Sequence, residues 1–521
     1  MSEHYDAVVI GSGLGGLTCG AFLAREGMKV LVLEKHSVIG GYAHAFRRRH
    51  YSFDSGIHSV PMAHDGLIMH LLRLLGVSDT IETIELPSMY EFRIPGFSFR
   101  VPTRGQEIRE ALTEAFPRQR EGLSNLFADM HRFYDVLARP LFEFETNLKE
   151  EDRQFVSQYH NRTYRDYMRG FLDDPLLRQV FYAMWPYGGS SPCCAPVVFY
   201  AMMFTIHYME GSHLVKGGFP RLAAALAAAI TERGGQVRTR AAAQRFIMDE
   251  KDRVRSVVLE SGEEISARLF VANISPYLLH RSMIPEKFQS KLWKRRLDSL
   301  HPSLSCVAAY LGLDKKIQTL PQSPILFRFD NQDHGAIYRN VLEKRLDARD
   351  HLIFLSQRDA EPGPVAMLMY FAQANASSSW REEKKRIAEW MLSSAESMAP
   401  GLRNSLVSME VGSPETFARF TGNTDGSLYG FENTSDMYGE AKLPIKTYIK
   451  NLYQVGHWGK PGGGVWNVMA NGYTAAKSVQ NELMASTAPP RPLRKELTIR
   501  LIYPRFRKFL EEHEDSLREV L

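Results

Sequence analysis

Six residues near the start of the 521-residue chain, Gly11-Ser12-Gly13-Leu14-Gly15-Gly16, and one acid, Glu34, have the types and spacing needed to hold a dinucleotide. Gly11 permits a tight turn, Gly13 lets the backbone approach a pyrophosphate, and Gly16 lets a helix pack closely on a strand. A helix starting at such a turn aims free N–H groups and the positive end of its dipole at the phosphates. Glu34 accepts hydrogen bonds from ribose hydroxyls, a role suited to NAD or FAD and unsuited to a 2′-phosphate. The elements that must position these residues are legible around them. His4 to Ile10 reads as a buried strand, Leu17 to Glu26 as a helix, and Lys29 to Leu33 as the next parallel strand. Strand, turn, helix, strand and acid fall in register, which separates this unit from an ordinary glycine-rich turn.

The whole chain allows two to four domains at about 150 residues each. With 44% apolar and 24% charged residues it has a globular composition, and a net charge of +5 gives no global nucleic-acid footprint. Cys19, Cys193, Cys194 and Cys306 form neither a disulfide framework nor a metal-ligand spacing, and read as small core residues. No metal is expected. No cleavable leader is expected ahead of the first strand, and the most apolar stretch, Ala195 to Met209, is too short to span a bilayer.

Past Glu34 and Lys35 come Gly40-Gly41-Tyr42-Ala43-His44-Ala45-Phe46 and Phe53-Asp54-Ser55-Gly56-Ile57-His58. Paired glycines about six residues after the acid, followed by Phe-Asp-x-Gly, resemble the flavoprotein superfamily of amine oxidases, phytoene desaturases and carotenoid isomerases. The histidines are most similar to the retinol saturase branch. Amine oxidases usually carry Arg after the paired glycines, where this chain has Tyr42. The resemblance implies an α/β fold of two domains: a Rossmann-type FAD-binding domain like that of glutathione reductase, and an α+β substrate domain. It further implies FAD as the cofactor, held by Gly11, Gly13, Leu14, Gly15, Gly16, Glu34, Lys35, Gly40, Gly41 and Tyr42.

The middle of the chain begins with a helical stripe over Gly66 to Leu75. A hairpin, Tyr90 to Ile94 and Phe97 to Val101, turns at Pro95-Gly96, and one or two amphipathic helices follow between Ile108 and Tyr134. Phe181 to Tyr208 is dense in aromatic and Met side chains, which fits a core stripe or the lining for a long apolar substrate. Next come a helix from Pro220 to Arg233 and strands at Gln236 to Thr239, Phe246 to Met248, Val254 to Glu260 and Ile265 to Ala272. By resemblance this is the second FAD segment, with the Val237 backbone at the adenine and Asn273-Ile274-Ser275-Pro276 leaving the domain. Strands at Val307 to Leu311 and Val365 to Phe371 and a helix from Arg381 to Met398 belong to the other domain. The tracts Pro414 to Gly422 and Gly426 to Gly430 recur in the related branches without a physical account of their own. A strand from Asn451 to Val455, a glycine-rich turn and a helix from Trp466 to Leu483 close the fold. Gly456, Gly464 and Val465 of that turn would face the flavin's N1 and C2 carbonyl, by resemblance, with the helix dipole favouring the reduced form.

The domain boundaries expected are therefore 1–60, 213–276 and 446–485 for FAD, 61–212 and 277–445 for substrate, and 486–521 for a basic extension. The chemistry implied is hydride exchange between flavin N5 and a carbon of a polyene or isoprenoid chain. His58, His207 and His457 are candidates for moving the accompanying proton, and Tyr187 and Arg419 for holding a polar substrate end. No second nucleotide motif is present, so the electron partner is a quinone, oxygen or a transient nicotinamide. A redox-neutral isomerase on reduced FAD, an amine oxidase and a flavin-free escort protein for lipidated partners stand as alternatives. The expected location is the cytoplasm or a membrane surface, reached through the basic and apolar run from Arg491 to Phe509.

Overall fold

A computed structural model describes residues 4–142, 148–314, 318–357 and 363–487. The basic run from Arg491 to Phe509 lies outside the described residues. By its internal contacts the chain falls into two units, Met1–Lys477 and Ser478–Leu521. The first carries both seven-stranded sheets and the site.

The first sheet is built on β1 (Tyr5–Ile10), whose apolar run is buried on both faces, as a central parallel strand must be. It pairs in parallel with β2 (Val30–Leu33) on one side and with Glu264–Ala272 on the other. Gln236–Arg238 extends the parallel set beyond β2, and Leu452–Gln454 extends it beyond the far end of Glu264–Ala272. Ala243–Met248 and Val254–Leu259 continue antiparallel from the near end. Three chain segments far apart in sequence thus meet in one sheet, with α1 (Leu14–Arg25) crossing between β1 and β2.

The second sheet has the order Leu406–Gly412, Ser305–Leu313, Val365–Ala372, His351–Gln357, Ile325–Phe329, Tyr90–Ile94, Phe97–Val101. Its pairings are antiparallel except that of Ile325–Phe329 with Tyr90–Ile94. The period of two divides its faces. Val307, Ala309, Leu311, Ala366, Leu368 and Tyr370 pack in one core with Trp380, Ile387 and Met391 of the helix Trp380–Met398. Tyr310, Met367 and Met369 point the other way, into a cavity.

The expected elements are present with ends moved by a few residues. Two differences bear on the site. α1 starts at Leu14, because Gly13 already serves as its cap, so the glycine turn is only Gly11 to Gly13. His213–Val215 pairs with Thr83–Glu85, which ties the first residues of the expected second FAD segment to the middle of the chain. Among the described residues no helix is long and apolar enough to cross a membrane.

Candidate functional site

One cavity of about 1090 Å³ runs from the glycine turn to the inner face of the second sheet. Gly11, Gly13, Leu14, Gly15, Glu34, Lys35, Gly40, Gly41, Tyr42, His58, Tyr187, His207, Gly456, His457, Gly464 and Val465 all line it.

At one end the backbone forms a cradle that side chains would fill. Gly11 sits at φ +95°, and a Cβ there would lie 2.6 Å from the Asn273 carbonyl oxygen. On Gly16 it would lie 2.4 Å from the Gly11 oxygen, and on Gly13 2.7 Å from Asn273 Nδ2. Asn273 therefore crowds the turn from behind, donating from Nδ2 to the Gly11 oxygen at 3.3 Å. A Cβ on Gly456, at φ +93°, would lie 2.3 Å from Asn273 Oδ1, so the same side chain sits between the first and last glycine turns. Asn273→Ala is expected to loosen both turns, costing about 1–3 kcal/mol in stability and weakening cofactor retention, read by thermal melting and flavin content. The paired glycines pack on the cradle as well as on the cavity. Gly40 N–H donates to the Ser12 oxygen at 3.0 Å, and a Cβ on Gly41 would lie 3.1 Å from Gly13 Cα.

Glu34 is buried at the end of β2. Its Oε2 accepts from Ser12 N at 3.0 Å and from Ser12 Oγ at 2.6 Å, and Oε1 accepts from His36 N at 2.9 Å. Since α1 has no side-chain cap, its first N–H groups remain available to a phosphate. Crowded glycines, free helix donors and an enclosed carboxylate are the donor and acceptor set that the ADP half of FAD needs, and they fit it.

Three expected residues do not line the cavity: Gly16, which packs behind the turn against the Gly11 oxygen, and two that lie elsewhere in the fold. Val237 is held in the edge strand Gln236–Arg238 opposite Val32, and the cavity beyond Glu34 is lined by Ala241, Ala242, Ala243, Gln244 and Glu260 instead. Arg419 belongs to a separate small cleft with Trp380, Lys384 and Glu415, its guanidinium 5.4 Å from the Phe420 ring centroid. It turns out of the main cavity because its helix, Pro414–Thr421, buries Phe417 on the other side.

Asp54 and the tract Gly426 to Gly430 gain a physical role. Asp54 Oδ1 accepts from Phe219 N at 3.3 Å, joining the Phe53-Asp54-Ser55-Gly56 stretch to the turn before the helix Pro220–Thr231. Burial raises the Asp54 carboxyl to about 6. A Cβ on Gly430 would lie 2.4 Å from the His457 oxygen, and one on Gly463 3.0 Å from Tyr429 Cα, so this tract is the floor beneath the closing glycine turn. Tyr42 donates to the Ser427 oxygen at 2.9 Å, and Asn423 Oδ1 accepts from Trp458 Nε1 at 3.1 Å.

At the other end of the cavity, His58 and Tyr187 stand with ring centroids 5.5 Å apart. His58 Nε2, Ser59 Oγ and the Tyr187 hydroxyl are enclosed and have no hydrogen-bond partner among the described residues. Burial lowers His58 to about 3 and raises Tyr187, so both are neutral across the physiological range. His207 Nδ1 and Ser212 Oγ are 2.9 Å apart; burial first, then His213, lower His207 to about 4. His457 is lowered to about 4 by burial, and its Nε2 lies 3.3 Å from Asn423 Oδ1. At neutral pH burial leaves these histidines uncharged, each with one N–H donor and one acceptor nitrogen.

The aromatic helix Val197–Glu210 is buried nearly all round, and Phe199, Met203, Ile206 and His207 form the stripe that faces the cavity. Tyr310, Met367 and Met369 oppose it from the second sheet. Glu210 ends the helix, accepting on Oε1 from Tyr134 at 2.9 Å and from Trp466 Nε1 at 3.2 Å. Burial outweighs these two bonds and raises its carboxyl from 4.5 to about 7. The native state then holds a proton that the unfolded chain releases, so stability falls as pH rises between those values. The fall is about 3 kcal/mol at most, at 1.36 kcal/mol per pKa unit. Glu210→Gln should flatten this part of the melting-temperature profile.

A Rossmann-type sheet, a glycine cradle with an enclosed acid, and a cavity running from it to a second sheet define a two-domain flavoprotein oxidoreductase. The chain belongs to the flavin containing amine oxidoreductase family, whose model matches residues 14–479, and FAD is its cofactor. It is 26% identical to the chloroplastic prolycopene isomerase of Daucus carota, over 92% of this chain and 81% of that protein. It is 23% identical to the all-trans-retinol 13,14-reductase of Danio rerio, over 87% and 82% of the two chains. The cyclohexylamine oxidase of Brevibacterium oxydans IH-35A has the same fold, with a TM-score of 0.59 at 16% identity over 92% of this chain and 99% of that one.

Proposed function

We propose that this oxidoreductase acts on carbon–carbon bonds of a long apolar chain, of polyene or isoprenoid type, by desaturation or saturation. The observation that carries the reading is the apolar chamber between the stripe Phe199, Met203, Ile206 and the sheet residues Tyr310, Met367, Met369, continuous with the dinucleotide cradle. FAD, when bound, supplies hydride exchange at N5. The chain's own residues do the rest. Gly11 to Gly16 and Glu34 hold the ADP half, with Lys35, Gly40, Gly41 and Tyr42 beside them, and Gly456, Gly464 and Val465 close over the far part. The chamber walls orient the substrate and exclude water. His58 Nε2 and the Tyr187 hydroxyl are the neutral groups placed to accept or donate a hydrogen bond at the substrate, with His207 further along the wall. The same reading assigns residues 1–60, 213–276 and 446–485 to FAD and residues 61–212 and 277–445 to substrate.

A second reading, redox-neutral isomerisation on reduced FAD, is favoured by the similarity to prolycopene isomerase. Lipid extraction of the purified protein, with its visible spectrum, followed by incubation with the extracted class of polyene, separates the two. Product mass changed by two hydrogens supports the first, unchanged mass with altered geometry the second. A colourless protein with no extractable apolar ligand overturns both.

A further inference from the structure

Lys442 is a fully enclosed cation that the proposed chemistry leaves without a task. Its ammonium donates to Asn433 Oδ1 and stands 5.5 Å from the Tyr438 ring centroid and 5.9 Å from that of Phe199. Among the described residues no carboxylate forms an ion pair with it, and its pKa is set by burial alone. Asn433 is itself fixed, donating from Nδ2 to the Gly188 oxygen at 2.9 Å while its own carbonyl accepts from Ser190 Oγ at 2.5 Å. The backbone is pinned too, because Arg296 Nη2 donates to the Lys442 oxygen at 2.7 Å.

The place of the ammonium is what gives it meaning. A Cβ on Gly462 would lie 2.8 Å from Lys442 Nζ, so the cation backs directly onto the closing glycine turn. The next two residues of that turn, Gly463 and Gly464, line the cavity and lead into the helix Val465–Thr487. Enclosing an unneutralised ammonium is costly, and a Met of similar shape would fill the same space without that cost. In a region of low dielectric, however, a fixed cation one layer behind a cavity wall favours any negative charge that develops in front of it.

We propose that Lys442 is an electrostatic positioning residue, a cation set behind the Gly462–Gly464 turn that stabilises the negative charge of reduced flavin in the cavity. This rests on the reading that FAD occupies that cavity. Burial lowers the ammonium to about 7, so the group is largely protonated at pH 6. Among the described residues the titratable groups that interact with it are Tyr438, which burial keeps neutral, and His457, lowered chiefly by burial and further by Lys442 itself.

The test uses the flavin-loaded protein at pH 6, with two readouts that do not depend on turnover: the dissociation constant of the flavin–sulfite adduct, and the two-electron midpoint potential. Lys442→Met is expected to weaken sulfite binding about tenfold and to lower the potential by about 30 mV, the equivalent of tenfold for two electrons. Lys442→Arg, which keeps the charge, should stay close to the wild type. Asn433→Asp leaves the lysine in place and sets a carboxylate on it, so it should shift both quantities in the same direction as Lys442→Met, even if the latter fails to fold. A loaded wild type whose charge-removing and charge-pairing variants leave both quantities unchanged would overturn the proposal alone. A wild type that takes up no flavin overturns the cofactor reading and the proposal with it.

Discussion

A Gly16→Val chain is expected to purify without flavin and to unfold about 3 kcal/mol more easily than the wild type, at the upper end of the cost of overpacking. Any Cβ at this position meets the Gly11 oxygen at 2.4 Å, Asn273 Cβ at 2.9 Å and Asn273 Nδ2 at 3.1 Å. None of these atoms can give way cheaply. The Gly11 N–H is tied to the Leu33 oxygen at 2.8 Å, and Asn273 N–H to the Ile10 oxygen at 2.8 Å, so relief would have to displace the ends of two sheet strands. The displaced turn is also the one whose backbone must approach the pyrophosphate, so stability and cofactor retention fall together. Gly27→Ala is the control. Gly27 sits at φ +82° with nothing within 4 Å of an added Cβ, so its alanine variant should lose only the left-handed strain of about 1–2 kcal/mol and keep its flavin. Thermal melting and the ratio of flavin to protein absorbance check both. Stoichiometric flavin in Gly16→Val would sink the account of the cradle.

The N-terminal unit was legible because each glycine there answers to a local demand: a positive φ at Gly11, a helix cap at Gly13, helix–strand contact at Gly16. The hairpin Tyr90–Ile94 and Phe97–Val101 was legible for the same reason, with alternation on either side of Pro95-Gly96. Ile325–Phe329 and His351–Gln357 were not, since Arg328 interrupts the one short apolar run and His351, Ser356 and Gln357 leave the other only the apolar residues Leu352 to Leu355. The functional residues that escaped notice act across the fold. Asn273 looks from sequence like the exit from a domain, yet its amide separates the glycine turn at Gly11 from the one at Gly456, at opposite ends of the chain. Lys442 carries no local signal at all; only the turn at Gly462 folding back onto it makes the charge notable. The misplacements share this cause. Val237 was placed by resemblance and Arg419 was named as a side chain able to hold a polar substrate end, and pairing with Val32 in one case and packing of Phe417 in the other decides where they sit. The aromatic stretch from Phe181 to Tyr208 read as core, with a substrate lining as the alternative, and its last helix, Val197–Glu210, is both on different faces.

That division predicts the second large effect. Met203→Trp should lower kcat/KM for a long apolar substrate about a hundredfold, the scale expected when a reacting chain is displaced by about 1 Å, while leaving flavin content unchanged. Met203 shares the cavity stripe with Phe199 and Ile206, so an indole there projects into the chamber. Phe204 is the matching control one position along the helix. It is 1% exposed, its ring centroid 4.9 Å from that of Phe181, and it does not line the cavity. Phe204→Leu should therefore lower the melting temperature through lost packing, with turnover per bound flavin unchanged. The pair separates a substrate wall from a structural core within a single turn of helix. If Met203→Trp kept full activity on the long substrate while Phe204→Leu lost it, the chamber would have to lie on the other side of the helix. If Met203→Trp instead lost its flavin, the stripe would be a wall for the cofactor, and the substrate would have to be sought nearer His58 and Tyr187.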